Sequence, residues 1–202
     1  PNGGWSITVE FHFYLILPLL LMLLRKSRVL PLALVLAAVA LRVVLHRHNA
    51  EVQSLAYFTL VGRFDQFALG MIAYQFRSRI AHRHWLALAV LAAFSLFYWS
   101  FDLKGGFFEN PSYPSPDPVW IYLPLIEGMA YGIGIAWYES SFAHSTIGFS
   151  KVLARIGDYS YSLYLLHFFF VFAMARFVHE HIADLSNFYV ACFWALIGFV
   201  AM

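Results

Sequence analysis

The chain has 202 residues, of which 61% are hydrophobic and 12% charged, with a mean hydropathy of +0.68; an ordinary soluble domain has about 45–50% apolar and about 25% charged residues. No soluble fold has that much interior, and a formal charge of +2 from thirteen scattered Lys and Arg excludes a nucleic-acid surface. The single cysteine, Cys192, excludes an intrachain disulfide and a thiolate metal site, and its apolar surroundings read as core.

A helix crossing the roughly 30 Å hydrocarbon core of a bilayer needs about 20 mostly apolar residues. Seven segments approach that length: Trp5–Leu24, Val29–Leu45, Leu55–Phe76, Trp85–Phe101, Val119–Tyr138, Tyr159–Phe177 and Leu185–Met202. Their apolar runs are continuous and lack the period-2 alternation of a membrane barrel, so they predict helices. The expected fold is all-α, a polytopic transmembrane helical bundle with about seven spans present out of a larger one. The chain begins at Pro1 without an initiator Met and stops at Met202 inside an apolar run, which predicts a fragment; no signal-peptide pattern is visible.

The loops predict an orientation, because short cytoplasmic loops carry the excess of Lys and Arg. Arg25, Lys26, Arg28, Arg77, Arg79, Arg83, Lys151 and Arg155 lie on one side, eight residues against Arg47, Lys104 and Arg176 on the other. The Trp5 end of the first span is expected to face outward. So is the longest loop, Asp102 to Pro118, where Pro111, Pro114, Pro116 and Pro118 disfavour helix. That loop reads either as an extended connector or as the rim of an extracytoplasmic substrate site.

Ionisable groups inside the spans are the functional clues, since charge in a bilayer turns toward the bundle interior. On the first span Ser6, Glu10 and Tyr14 share a helical face. Glu10 has two readings: an inward group that handles a proton or orients a substrate hydroxyl, or a first-turn carboxylate on the helix dipole. Arg42, near the outer end of the second span, reads as a snorkelling anchor. On the third, Arg63, Gln66, Gly70 and Tyr74 share a face. Arg63 either pairs with Glu10 or grips an anionic donor group, or it snorkels with Asp65 as local partner. Gly70 reads as a helix-packing notch.

Glu127 shares a face with Tyr131, Gly134 and Tyr138 and points into the bundle, with no role set by pattern. On the sixth span Ser160, Tyr164 and His167 stand at i, i+4 and i+7. His167 suits proton transfer or substrate binding, and equally a structural hydrogen bond to a neighbouring helix; Ser160 reads also as an N-cap. The pairs His46/His48, His82/His84 and His179/His181 point apart on a helix and lack a cysteine, so no metal site is expected.

Three stretches, in order, resemble the acyltransferase-3 family of bacterial membrane proteins that O-acylate polysaccharides and other envelope glycans. Trp5-Ser6-Ile7-Thr8-Val9-Glu10-Phe11-His12-Phe13-Tyr14 is similar to its W-S-L-x-x-E-x-x-F-Y segment. Arg63 to Met71 resembles its R-x-x-[EQ]-F-x-x-G-M segment, and Gly157 to His167 its G-x-x-S-Y-x-x-Y-L-x-H segment. The resemblance implies that residues 1–202 are the later part of a membrane acyltransferase domain, with its N-terminal helices missing and its last span cut short.

It also implies a bacterial plasma-membrane enzyme that moves an acyl group, often acetyl, from cytoplasmic acyl-CoA to a hydroxyl of an envelope glycan or similar acceptor. Glu10 and Arg63 are then supporting catalytic residues, and Trp5, Ser6, Tyr14, Gln66, Ser160, Tyr161, Tyr164 and His167 bind substrate. The implied partners are membrane lipid, acyl-CoA and the acceptor, with no nucleic acid and no bound cofactor or metal. The family's principal histidine follows an Arg by eleven positions; no Arg here has such a His, and the chain alone is expected to be inactive. The rival reading is a carrier or exporter of a glycan or lipid-linked glycan, because buried Glu, Arg and His also suit coupled transport.

Overall fold

The computed structural model describes residues 5–27, 29–143, 147–186 and 188–201, and these are helical, with no strand and with one long connection, residues 104–118. The helices are α1 (Trp5–Lys26), α2 (Leu30–Arg47), α3 (Gln53–Phe58), α4 (Leu60–Gln75), α5 (Arg77–Ile80), α6 (His84–Leu103), α7 (Val119–Ser141), α8 (Phe149–His181) and α9 (Phe188–Ala201). Two compact units result, Ser6–Ala143, and Pro1–Trp5 with His144–Met202.

Four helical segments among the described residues, Trp5–Leu23, Leu30–Arg47, His84–Leu103 and Val119–Ser141, are long and apolar enough to cross a membrane. They coincide with the first, second, fourth and fifth expected spans and fit a membrane protein. The third expected span, Leu55–Phe76, is not one helix. Thr59 is extended (φ −119°, ψ 149°), and its hydroxyl donates to Leu55 O at 2.7 Å and accepts from Gly62 N at 3.0 Å. A threonine hydroxyl that bonds backbone on both sides ends one helix and caps the next.

At that break Gly62 lies against the backbone of α3; a Cβ there would stand 1.9 Å from Leu55 O, so only glycine fits. Helix α4 then packs chiefly on α7 and α2. Arg42 of α2 ties the three together. Its guanidinium forks onto both carboxylate oxygens of Asp65, donates to Gly62 O and, through Nε, reaches Ile121 O of α7 at 3.0 Å. Pro124 deprives the first turns of α7 of one N–H donor, in the stretch where Arg42 meets the backbone. Arg42 and Asp65 are both 0% exposed. The snorkelling expected of Arg42 is therefore corrected: its charge is neutralised inside the bundle, by the carboxylate expected to serve Arg63.

Beside this pair Val52, Ala56, Phe101, Trp120 and Leu123 form an apolar cluster. The proline-rich loop is held to it by Gln53, whose Nε2 donates to Phe107 O at 2.7 Å and whose Oε1 accepts from Ser115 N. In the other unit α8 packs on α9, and Gly198 abuts Met174. Cys192, expected in the core, is exposed on α9. Between these two helices the hydroxyl and N–H of Ser186, and then His179, hold the Asp184 carboxyl below its ordinary pKa.

Asp65→Asn is expected to destabilise the protein by about 3–5 kcal/mol, because a buried guanidinium loses its counter-charge, while the paired apolar change Arg42→Met/Asp65→Leu restores much of that loss. Thermal unfolding of the detergent-solubilised protein checks both. An Asp65→Asn transition at the wild-type temperature would contradict a structural role for the pair.

Candidate active site

One face of α1, one of α4 and one of α7 converge on a cavity of about 470 Å³. Helix α1 supplies Ser6, Val9 and Glu10, α4 supplies Arg63, Gln66, Phe67 and Gly70, and α7 supplies Gly128, Tyr131, Gly132 and Ile135. The close approach of α7 to α4 depends on two glycines a turn apart. A Cβ on Gly128 would lie 3.0 Å from Gln66 Cα, and one on Gly132 would lie 3.3 Å from Ala73 Cβ. This is the small-residue spacing that lets apolar helices touch backbone to backbone. Gly70 does not pack: a Cβ there meets nothing within 4 Å. The notch expected at Gly70 is instead cavity wall, and the packing glycines sit on the opposite helix.

Four expected site residues thus come together, Ser6 and Glu10 with Arg63 and Gln66. Glu10 is the sixth residue of α1, so the helix-dipole reading does not hold; α1 has no acid in its first turn. The Arg63 guanidinium lies 4.7 Å from the centroid of the Tyr57 ring, a cation–π contact that steadies it. Tyr14 is 61% exposed and does not line this cavity. Trp5 is half-buried at the head of α1 and belongs to the other unit.

A second cavity of about 640 Å³ continues toward the other end of α4, lined by Phe13, Arg25, Met71, Tyr74 and Gln75 among others. Gln66, Phe67 and Gly70 line both. At this junction the Phe13 ring stacks on Phe67, centroids 3.9 Å apart.

Behind Gln66 lies a group that pattern alone did not assign. Gln66 Nε2 donates to Glu127 Oε2 at 2.7 Å, and the Tyr98 hydroxyl donates to Glu127 Oε1. Glu127 is 7% exposed, so the inward direction read for it holds. Tyr98 was not foreseen, since a tyrosine near the end of an apolar span looks the same as an interfacial anchor.

The α8 residues are placed differently. Ser160 is no N-cap, because α8 starts at Phe149, and its hydroxyl donates to Gly157 O at 2.7 Å within the helix. Tyr161 and Tyr164 are exposed, and the His167 side chain lies outside the described residues. These residues belong to the other unit. Among the described residues no three His, Cys, Asp or Glu side chains gather where one ion could hold them together.

The two glycine environments predict opposite outcomes. Gly128→Ala is expected to lower stability by about 1–3 kcal/mol through overpacking, whereas Gly70→Ala leaves it unchanged or raises it by up to about 1 kcal/mol through helix propensity. Melting of the two variants side by side checks this, and equal effects would contradict the packing described.

A family model described as an acyltransferase domain matches residues 3–202. No curated protein and no solved structure matches the chain. The match takes in the Glu10 helix, the Arg63–Gln66 face and the Gly157–His167 motif alike, and the chain belongs to the acyltransferase-3 family.

Proposed function

We propose that the protein is an integral membrane O-acyltransferase that moves an acyl group, often acetyl, from acyl-CoA to a hydroxyl of a cell-envelope glycan or similar acceptor. The observation that carries this reading is the cavity between α1, α4 and α7 that Glu10 of α1 lines together with Arg63 and Gln66 of α4. In the reaction the acceptor oxygen forms an ester bond to the acyl carbon, the C–S bond of the thioester breaks, and the hydroxyl proton leaves for the thiolate. Arg63 donates hydrogen bonds to the thioester oxygen as negative charge develops there, the kind of group whose removal costs about 10²–10³ in rate. Glu10 accepts from the acceptor hydroxyl and orients it. The reading assigns the principal base to none of this chain's residues.

The pair of cavities supports donor and acceptor approaching from opposite sides. With the Trp5 end outward in a bacterial plasma membrane, the Arg25 chamber opens to the cytoplasm, where a guanidinium suits the phosphates of acyl-CoA. The Glu10 chamber then takes the acceptor. Two chambers on one axis also suit a carrier for a glycan or lipid-linked glycan, which needs no acyl donor. The remaining expected spans, α4 with α3 and the α8 and α9 segments, complete a seven-span arrangement in this reading.

Membrane vesicles carrying the full-length protein, given labelled acetyl-CoA, separate the two: label on a glycan supports the enzyme, and glycan movement without label supports the carrier. Arg63→Ala and Glu10→Gln are each expected to lower transfer by about 10² or more at normal membrane abundance. Full activity in both variants would remove these residues from the mechanism.

A further inference from the structure

Gln66 occupies the junction of the two chambers, one of three residues that line both. Its side chain is not free to turn. Nε2 donates at 2.7 Å to a buried carboxyl whose other oxygen accepts the Tyr98 hydroxyl. A reversed amide would set its oxygen against an oxygen of Glu127, so the NH₂ must face the carboxyl. The amide oxygen then points away from Glu127, and no donor among the described residues meets it. Gly128 presses α7 against Gln66 Cα and Cγ, which holds the stem of the side chain as well. Glu127 itself lines neither chamber.

We propose that Glu127, braced by Tyr98, is a positioning residue that fixes Gln66 with its carbonyl oxygen turned into the junction, where it accepts a hydrogen bond from an N–H or O–H of a bound substrate. The substrate side of this inference rests on the acyl-transfer reading: the group is an amide N–H in the arm of acyl-CoA or a hydroxyl of the acceptor. Tyr98 is suited to the bracing role because its hydroxyl both donates and accepts. It keeps a partner if residue 127 becomes an amide.

The test joins a spectroscopic readout to kinetics in the full-length protein. With glutamine side chains labelled by ¹⁵N, Gln66→Met identifies the Gln66 amide resonances by their loss. Glu127→Met is expected to move those resonances, and Glu127→Gln, which keeps an acceptor for Nε2, to leave them near their wild-type positions. Unmoved resonances in Glu127→Met overturn the clamp whatever the reaction is.

With acetyl-CoA as donor, Glu127→Met is expected to lower kcat/KM about tenfold, roughly the effect of one lost hydrogen bond, and Glu127→Gln to recover most of it. The double variant with Gln66→Met should be no slower than Gln66→Met alone, because Glu127 acts through Gln66. Losses that add overturn the positioning role. A raised KM for acetyl-CoA places the hydrogen bond on the donor, a raised KM for the acceptor places it there, and both KM values unchanged overturn the substrate contact. A wild-type protein that transfers no acetyl defeats the acyl-transfer reading and the substrate role with it, while the amide resonances still decide the clamp.

Discussion

A guanidinium and a carboxylate, both wholly shielded, meet where α2, α4 and α7 cross, and the arrangement of the larger unit depends on that meeting. Taking either charge from water alone is strongly unfavourable; the pair is tolerable because the geometry is bidentate and two backbone carbonyls use further N–H donors. Gly62 sits where α4 restarts after Thr59, and Ile121 lies in the first turn of α7. One side chain thereby fixes the rotation of α4 about its axis.

Rotation is what makes the cavity. Asp65 and Gln66 are neighbours about 100° apart on the helix, so turning Asp65 toward Arg42 turns Gln66 and Arg63 toward α1 and α7. The glycines of α7 set the distance. Gly128 and Gly132 bring its backbone onto α4 and carry Glu127 to the Gln66 amide. Structural charge and site charge thus share one short helix but occupy different faces, and the hydrogen bonds of Arg42 account for Asp65 while Glu127 accounts for Gln66.

Composition and periodicity made much of this legible. The four long apolar helices follow from continuous hydrophobic runs, and a 100° step placed Ser6 with Glu10 and Arg63 with Gln66 correctly. What escaped was pairwise. An arginine near the end of an apolar run looks like a headgroup anchor until a carboxylate 23 residues later is seen to meet it. Gly70 and Gly128 are alike as letters, and only the neighbouring helix distinguishes a wall from a contact. The break at Thr59 interrupts no hydrophobicity at all, since the chain is apolar on both sides and the signal is one hydroxyl bonded twice to backbone. The α8 motif extends into a helix ten residues longer at its start than the apolar run suggests, which removes Ser160 from any cap.

The stacked Phe13 and Phe67 rings are where α1 grips α4. Glu10 lies one turn before Phe13 on its helix, and Gln66 is the neighbour of Phe67. An aromatic pair contributes about 0.5–1.5 kcal/mol beyond the area it buries, so these two rings hold the Glu10 helix in register with the Arg63 helix. A change at either ring is thereby transmitted to the cavity while every polar group in it stays in place.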